Sequence, residues 1–260
     1  MTEDAKGPVV VLTGASSGLG AQLAVELGRA RNARIGLMAR RPQQLEAVAA
    51  RVREVGGQAM VLPVDVTDAG ATAAAVSRVR EAIGPIDIAI ANAGIGQPMT
   101  MAKYDAGLCA KTMRVNYEGA TNLFAAVVPK MVEQRSGHVV GVSSVAAFRG
   151  LPASGPYSAS KAALTTMLES MRLELRPLGV AVTAVHPGFI RTDMTAKNDF
   201  AMPFLMELED AGRLLERKLR SRPREVEFPW QLATLGRLSR WLPDWVFDRV
   251  MAKPPGQKAP

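Results

Sequence analysis

Short unbroken apolar runs alternate with longer amphipathic stretches along the N-terminal half of the chain. Residues 8–12 (Pro-Val-Val-Val-Leu) show no polar alternation and end in Thr-Gly, the pattern of a strand buried on both faces. Residues 19–30 carry a helical pattern, and residues 33–38 read as a second strand. A helix over 43–55 stops at Gly56-Gly57, followed by a strand at 59–64. A helix over 69–83 ends at Gly84-Pro85, and a fourth strand occupies 86–91. Strand and helix alternating at regular spacing predict a parallel sheet with helices on both faces. Residues 104–135 read as mostly helical, 138–142 as a strand, about 158–178 as a long helix and 180–185 as another strand. One or two helices are expected over 194–220 and a last strand at 225–228. The fold class is therefore α/β, a Rossmann-type doubly wound parallel sheet of about seven strands. With no repeat or linker, residues 1–228 form a single domain whose lid covers about 193–222, and 229–260 form a helical extension.

Composition narrows the classes. Apolar residues make up 48% of the 260 and charged residues 22%, ordinary values for a globular protein. A lone cysteine, Cys109, excludes an internal disulfide framework, and with only His138 and His186 no Cys/His metal site is expected. No apolar run is long enough to span a bilayer, and the polar first residues do not resemble a secretory signal, so a cytoplasmic location is expected. The formal charge of +8 raises nucleic acid or an anionic membrane as partners. No nucleic-acid module is recognisable and aromatics are only 5%, so the charge is assigned to arginines on solvated helix faces.

Two stretches carry chemistry. Gly14, Gly18 and Gly20 follow the first strand as Gly-x3-Gly-x-Gly, where a tight turn lets backbone approach a pyrophosphate at a helix N-terminus. Tyr157 and Lys161 lie one helical turn apart, so an ammonium would favour the phenolate and ready it for proton exchange with an alcohol oxygen. A Ser hydroxyl aimed at that oxygen would polarise a carbonyl. Taken alone, the pair is a weak signal that better fits a partly buried Tyr with a solvated Lys one turn on.

Taken together, the motifs resemble the short-chain dehydrogenase/reductase family. Thr13 to Gly20 resembles its TGxxxGxG loop, Asn92-Ala93-Gly94 its NAG turn, and Asn116 its active-site Asn. Ser144, thirteen residues before Tyr157, resembles its active-site Ser; Tyr157 and Lys161 are its YxxxK pair and Pro187-Gly188 its PG turn. The resemblance covers residues 8 to about 195. It implies a dinucleotide held by Gly14, Ser16, Ser17, Gly18, Leu19 and Gly20, with Asp65 and Val66 at the adenine. It also implies Asn92, Ala93 and Gly94 along the cleft, Pro187, Gly188, Ile190 and Thr192 beside the nicotinamide, and Tyr157 and Lys161 at its ribose. Tyr157 is implied as acid/base, Lys161 as the cation lowering its pKa, Ser144 as the group steadying the substrate oxygen, and Asn116 as support for a water-linked proton path. Ser143 is the neighbour most easily confused with Ser144; the spacing selects Ser144.

Where the family's NAD-preferring members carry an acid after the second strand, this chain has Ala39, then Arg40 and Arg41. Losing the carboxylate and gaining guanidinium groups suits a 2′-phosphate, so the expected cofactor is NADP(H), with NAD(H) second and Arg40 as main reader. The bland alternative is a basic pair before the Pro42 turn. The implied function is hydride transfer between NADP(H) and a carbonyl/alcohol carbon, in the direction of carbonyl reduction. Residues 97–101 and 147–154 are mostly small or apolar and are expected to line the pocket for a hydrophobic substrate. The alternatives are a 3-oxoacyl thioester reductase, whose acidic carrier would suit a basic surface, and a non-catalytic NADP(H)-sensing or scaffold protein.

The resemblance also implies a homodimer or homotetramer formed through helices near 112–135 and 158–178. The extension holds Trp230, Trp241 and Trp245, with Leu235, Leu238, Leu242, Val246 and Val250 near helical spacing and arginines between them. Packing on its own domain is the first expectation for it. Self-association comes next and membrane contact last.

Overall fold

Val9, Val10, Val11 and Leu12 are all buried, yet they serve two separate cores. Val10 and Leu12 join one cluster, Val9 and Val11 the other, because successive strand side chains leave opposite faces of a sheet. The structure, a computed structural model, describes residues 7–196 and 200–251. Its strands are β1 (Val9–Thr13), β2 (Arg34–Ala39), β3 (Gln58–Pro63), β4 (Ile88–Ala91), β5 (Gly137–Val142), β6 (Val180–Pro187) and β7 (Glu225–Phe228). They form one seven-stranded sheet in the order β3-β2-β1-β4-β5-β6-β7, every neighbouring pair parallel. Helices cover both faces. Residues of α1 (Gly18–Arg31), α2 (Pro42–Glu54) and α7 (Leu208–Leu219) share one core with the sheet. Residues of α3 (Ala69–Ala82), α5 (Gly119–Glu133) and α6 (Gly155–Leu175) share the other.

β1 pairs with β2 on one side and with β4 on the other, so the strand order reverses between β1 and β4. The carboxyl ends of these two strands mark the switch-point crevice, where open α/β sheets take their ligands.

Two stretches depart from the sequence reading. The helical run at 104–135 begins at α4 (Ala106–Met113), capped by the Asp105 carboxylate, which accepts from Leu108 N–H. It then widens into a π-helical turn at Arg114–Glu118 before α5. Residues 200–207 are not helical. The Met206 N–H donates to Phe189 C=O and its carbonyl accepts from Arg191 N–H, drawing this segment against the chain that leaves β6. Lys197 to Asp199 of the expected lid lie outside the described residues.

After β7 come α8 (Trp230–Ser239) and α9 (Asp244–Met251). α8 meets the domain through Gly236, where a Cβ would stand 2.7 Å from the Phe148 ring, and through Leu232, close to Gly188. Arg149 ties the end of α8 to the start of α9: it donates to the Ser239 and Leu242 carbonyls and to Asp244, and stacks on Phe247. Among the described residues no helix is long and apolar enough to cross a membrane.

Candidate active site

Hydrogen bonds tie the ends of β1 and β4 together at the base of the crevice. Thr13 is buried at the end of β1; its hydroxyl accepts from the Asn92 and Ala93 backbone N–H groups at 3.0 and 3.1 Å. The Asn92 amide returns the contact, donating to the Thr13 and Gly14 carbonyls. Gly14 has φ +65, and a Cβ there would stand 2.8 Å from the Asn92 amide and the Ala93 backbone. The glycine is demanded by both the left-handed backbone and the close approach. Beyond it, Gly18 opens α1, and Thr192 closes from the other side: its methyl lies 3.5 Å from where a Gly18 Cβ would be.

Ser17 is the N-cap of α1, yet its side chain makes no capping hydrogen bond. Its hydroxyl, with that of Ser16, instead accepts from the Arg41 guanidinium, each at 2.9 Å. An uncapped helix N-terminus beside a glycine turn, with a guanidinium at its rim, fits a dinucleotide's phosphates. Arg40 points toward Asp65, 3.9 Å away. The Asp65 carboxyl is held below its usual range, chiefly by accepting from the Thr67 backbone N–H. Val66 is buried under Gly119, while its carbonyl accepts from Asn122. Sequence reasoning missed the Arg41–serine contact, although the signal was present in two adjacent arginines facing a loop with two serines.

The structure brings Asn116, Ser144, Tyr157 and Lys161 together at the same crevice. α6 presents Tyr157 from its first turn and Lys161 from its second, and the Lys161 ammonium donates to Val142 C=O at 2.7 Å. Ser144 follows β5, its hydroxyl accepting from Ala146 N–H and reaching the Pro187 carbonyl at 3.4 Å. Ser143 points the other way, into α6, where its hydroxyl meets Lys161 C=O and the Thr165 hydroxyl. Asn116 sits in the π-turn and clasps the chain beyond the NAG turn. Its carbonyl accepts from Ile95 N–H at 2.7 Å; its amide donates to Ile95 C=O and the Ser160 hydroxyl. π-turns of this kind recur at functional sites because they re-aim a side chain. The loops expected to line a pocket also meet, Met99 N–H donating to Ala153 C=O at 2.8 Å. Gly96 lies close to both the Tyr157 ring and the Met194 sulfur.

Burial governs the electrostatics here. Lys161 is buried, which lowers its pKa from 10.5 to about 8. Burial pushes the Tyr157 phenol above its usual value, and a hydrogen bond with Ser144 works in the opposite direction. The protein alone therefore does not hold the phenol low, as the sequence reading expected. Desolvation of the phenolate wins, and the ammonium is committed to a carbonyl 2.7 Å away.

Behind Ser144 lies a second polar group. The buried His186 ring contacts Ser144 C=O through Nδ1 at 3.3 Å and tilts against Phe148, centroids 4.9 Å apart. One of its nitrogens lies within 4.8 Å of Glu225 and Glu227 oxygens, a set able to take a cation. Arg237 already supplies the charge, bridging both carboxylates, with Nε 2.6 Å from Glu227.

Comparison with known proteins agrees with this geometry. A profile of the short chain dehydrogenase family matches residues 8–202. An uncharacterized oxidoreductase from Myxococcus xanthus is 42% identical over 238 residues, covering 92% of this chain and 94% of that protein. The ketoacyl reductase HetN of Nostoc sp. is 34% identical over 200 residues, 76% of this chain and 69% of HetN. A solved short-chain dehydrogenase from Streptomyces avermitilis shares the fold at TM-score 0.81 and 23% identity, covering 94% of this chain and 95% of its own. A 3-ketoacyl-ACP reductase structure from Sinorhizobium meliloti superposes at TM-score 0.78 and 28% identity, covering 88% of this chain and 100% of its own. The family consists of oxidoreductases that use nicotinamide cofactors. From its crevice, its sequence match and its relatives alike, this chain belongs to the short-chain dehydrogenase family.

Proposed function

We propose that the chain is an NADP(H)-dependent reductase of hydrophobic ketones or aldehydes, with Tyr157 as proton donor. The observation that carries the proposal is the meeting of Tyr157, Ser144 and Lys161 at the crevice closed by Gly18 and Thr192. The α1 N-terminus with Gly14, Ser16, Ser17, Gly18, Leu19 and Gly20 would hold the pyrophosphate. Asp65 and Val66 would flank the adenine, with Asn92, Ala93 and Gly94 along the floor. Pro187, Gly188, Ile190 and Thr192 would border the nicotinamide, and Lys161 its ribose. NADP(H) rather than NAD(H) is favoured by Ala39, which cannot accept from ribose hydroxyls or repel a phosphate, and by Arg40 and Arg41 at the rim. When bound, the cofactor supplies the hydride that reaches the carbonyl carbon.

The chain supplies the rest. Ser144 donates to the substrate oxygen and orients it. Tyr157 gives its proton to that oxygen as the C=O bond becomes CH–OH. A phenol raised by burial is fully protonated at neutral pH, the form reduction requires. Lys161, still largely charged below pH 8, stabilises the phenolate left behind. Met194, close to Gly96 beside the Tyr157 ring, and Met101, close to Gly155 in the first turn of α6, favour an apolar substrate. Resemblance to ketoacyl reductases and the charge of +8 support a second substrate class, 3-oxoacyl thioesters on an acidic carrier.

NADPH consumption over a panel of ketones, aldehydes and 3-oxoacyl thioesters tests the proposal, with Tyr157→Phe alongside. Turnover is expected with apolar carbonyls and is expected to drop about 10²–10⁴-fold in the variant while NADPH binding persists. NADPH binding without consumption of any member, or an active Tyr157→Phe enzyme, would overturn it.

A further inference from the structure

β7 forms one edge of the sheet, and Val226 and Phe228 turn into the core while Glu225 and Glu227 take the opposite face. His186 of β6 stands in register with Glu227. One imidazole nitrogen and one oxygen from each carboxylate lie within 4.8 Å of one another. A single histidine and two acids carry no metal signature along the chain; the parallel pairing of β6 with β7 is what gathers them. The histidine is the group that points to a ligand. It is fully buried, yet its Nε2 has no hydrogen-bond partner among the described residues. Nδ1 is engaged elsewhere, 3.3 Å from Ser144 C=O. A carbonyl only accepts, so Nδ1 carries the ring proton and Nε2 the lone pair. Metal-binding histidines are set in this way, one nitrogen donating to a carbonyl so that the tautomer is fixed and the other nitrogen is free to ligate. Burial lowers the His186 pKa, which keeps the ring in the neutral form a metal requires.

The charges leave a place for a cation. Arg237 lies across both carboxylates, one positive charge against two negative, and among the described residues no donor reaches Nε2. Its side chain is 48% exposed, so the guanidinium can swing into water and open a path to the carboxylates. A dication in its place would balance both acids and take the Nε2 lone pair at once. An imidazole nitrogen beside carboxylates suits Zn²⁺ better than Mg²⁺ or Ca²⁺, which take oxygen ligands.

We propose that His186 Nε2, Glu225 and Glu227 form a Zn²⁺ site at the β6–β7 edge of the sheet, which the ion enters by displacing Arg237, with water completing its coordination. This stands independently of the reaction proposed above. The test is calorimetric titration of the full chain, freed of metal with a chelator, with zinc chloride, alongside Glu227→Gln and Arg237→Ala. Circular dichroism establishes that both variants fold. The unmodified chain is expected to bind one Zn²⁺ and to melt at a higher temperature with it. Glu227→Gln is expected to bind about tenfold or more weakly, and Arg237→Ala about tenfold more tightly, since the competing guanidinium is gone. The chain has two histidines, and in nitrogen-resolved magnetic resonance spectra zinc is expected to move the His186 ring signals and leave those of His138 in place. The spectra need no variant, so they decide even where one fails to fold. No binding by the unmodified chain, equal binding by Glu227→Gln, or an unmoved His186 ring would overturn the proposal. So would binding by Arg237→Ala alone, since the guanidinium would then be the settled occupant.

Discussion

Lys161 and Asn116 face each other across Gly94: a Cβ placed there would stand 3.3 Å from the Lys161 ammonium and 3.3 Å from the Asn116 carbonyl oxygen. The gap is the space through which a water could link the two, and only a residue without a side chain leaves it clear.

Asn116→Ala is expected to cost both stability and turnover. It removes contacts to Ile95 N–H, Ile95 C=O and Ser160, leaving a backbone donor unsatisfied, for a loss of about 2–4 kcal/mol. Denaturant midpoints and kcat measured on the same preparation check this. A variant as stable as the parent would show that the clasp contributes nothing.

Arg41→Ala is expected to raise the KM for NADPH about 10–100-fold and to leave NADH nearly unaffected, since a charge-assisted contact to a 2′-phosphate is lost. Arg40→Asp should act in the same direction and add repulsion. Initial rates with both cofactors decide; an unchanged NADPH/NADH ratio in both variants would refute the assignment.

Ser143 and Ser144 should separate cleanly. Ser143→Ala loses two buried contacts inside α6 and is expected to lower stability by about 1–2 kcal/mol with little change in kcat. Ser144→Ala is expected to do the reverse, lowering kcat about 10²-fold with a small stability change. Identical behaviour of the two would remove the distinction.

His138 is buried against the Thr183 hydroxyl, and burial lowers its pKa from 6.5 to about 3. Between those values the unfolded chain takes up a proton that the folded chain refuses. Stability therefore falls as pH drops below 6.5, by up to about 1.4 kcal/mol per unit, until about pH 3. Thermal melts from pH 7 to pH 5 should show a shallower decline for His138→Gln than for the parent. Parallel curves would contradict this origin.

Much of the fold was legible because its signals are local. Unbroken apolar runs such as Val9 to Leu12, and glycines at the ends of helices, mark the strands and turns within a residue or two of where they lie. The grouping of Tyr157, Lys161, Ser144 and Asn116 was readable through the family's spacing. What stayed hidden depends on tertiary partners. Nothing in the Arg40-Arg41 pair says which arginine folds onto Ser16 and Ser17. Nothing in residues 200–207 reveals that Met206 exchanges helix for backbone contacts with Phe189 and Arg191. The Leu235, Leu238 and Leu242 stripe has the right period, but a period identifies a face without saying what covers it. The phenol's upward shift was missed because two residues one helical turn apart were weighed without the protein packed around them.

The widened turn at Arg114–Glu118 also sets a phase. Five residues in this wide turn sweep about the angle that four cover in an α-helix, so the faces of α4 and α5 stay in phase across it. Excising a single residue would let α4 run straight into α5 with Leu123, Phe124 and Val127 still on the sheet, while Asn116 would lose the outward step that carries it to Ile95. The spare residue serves the crevice, not the core.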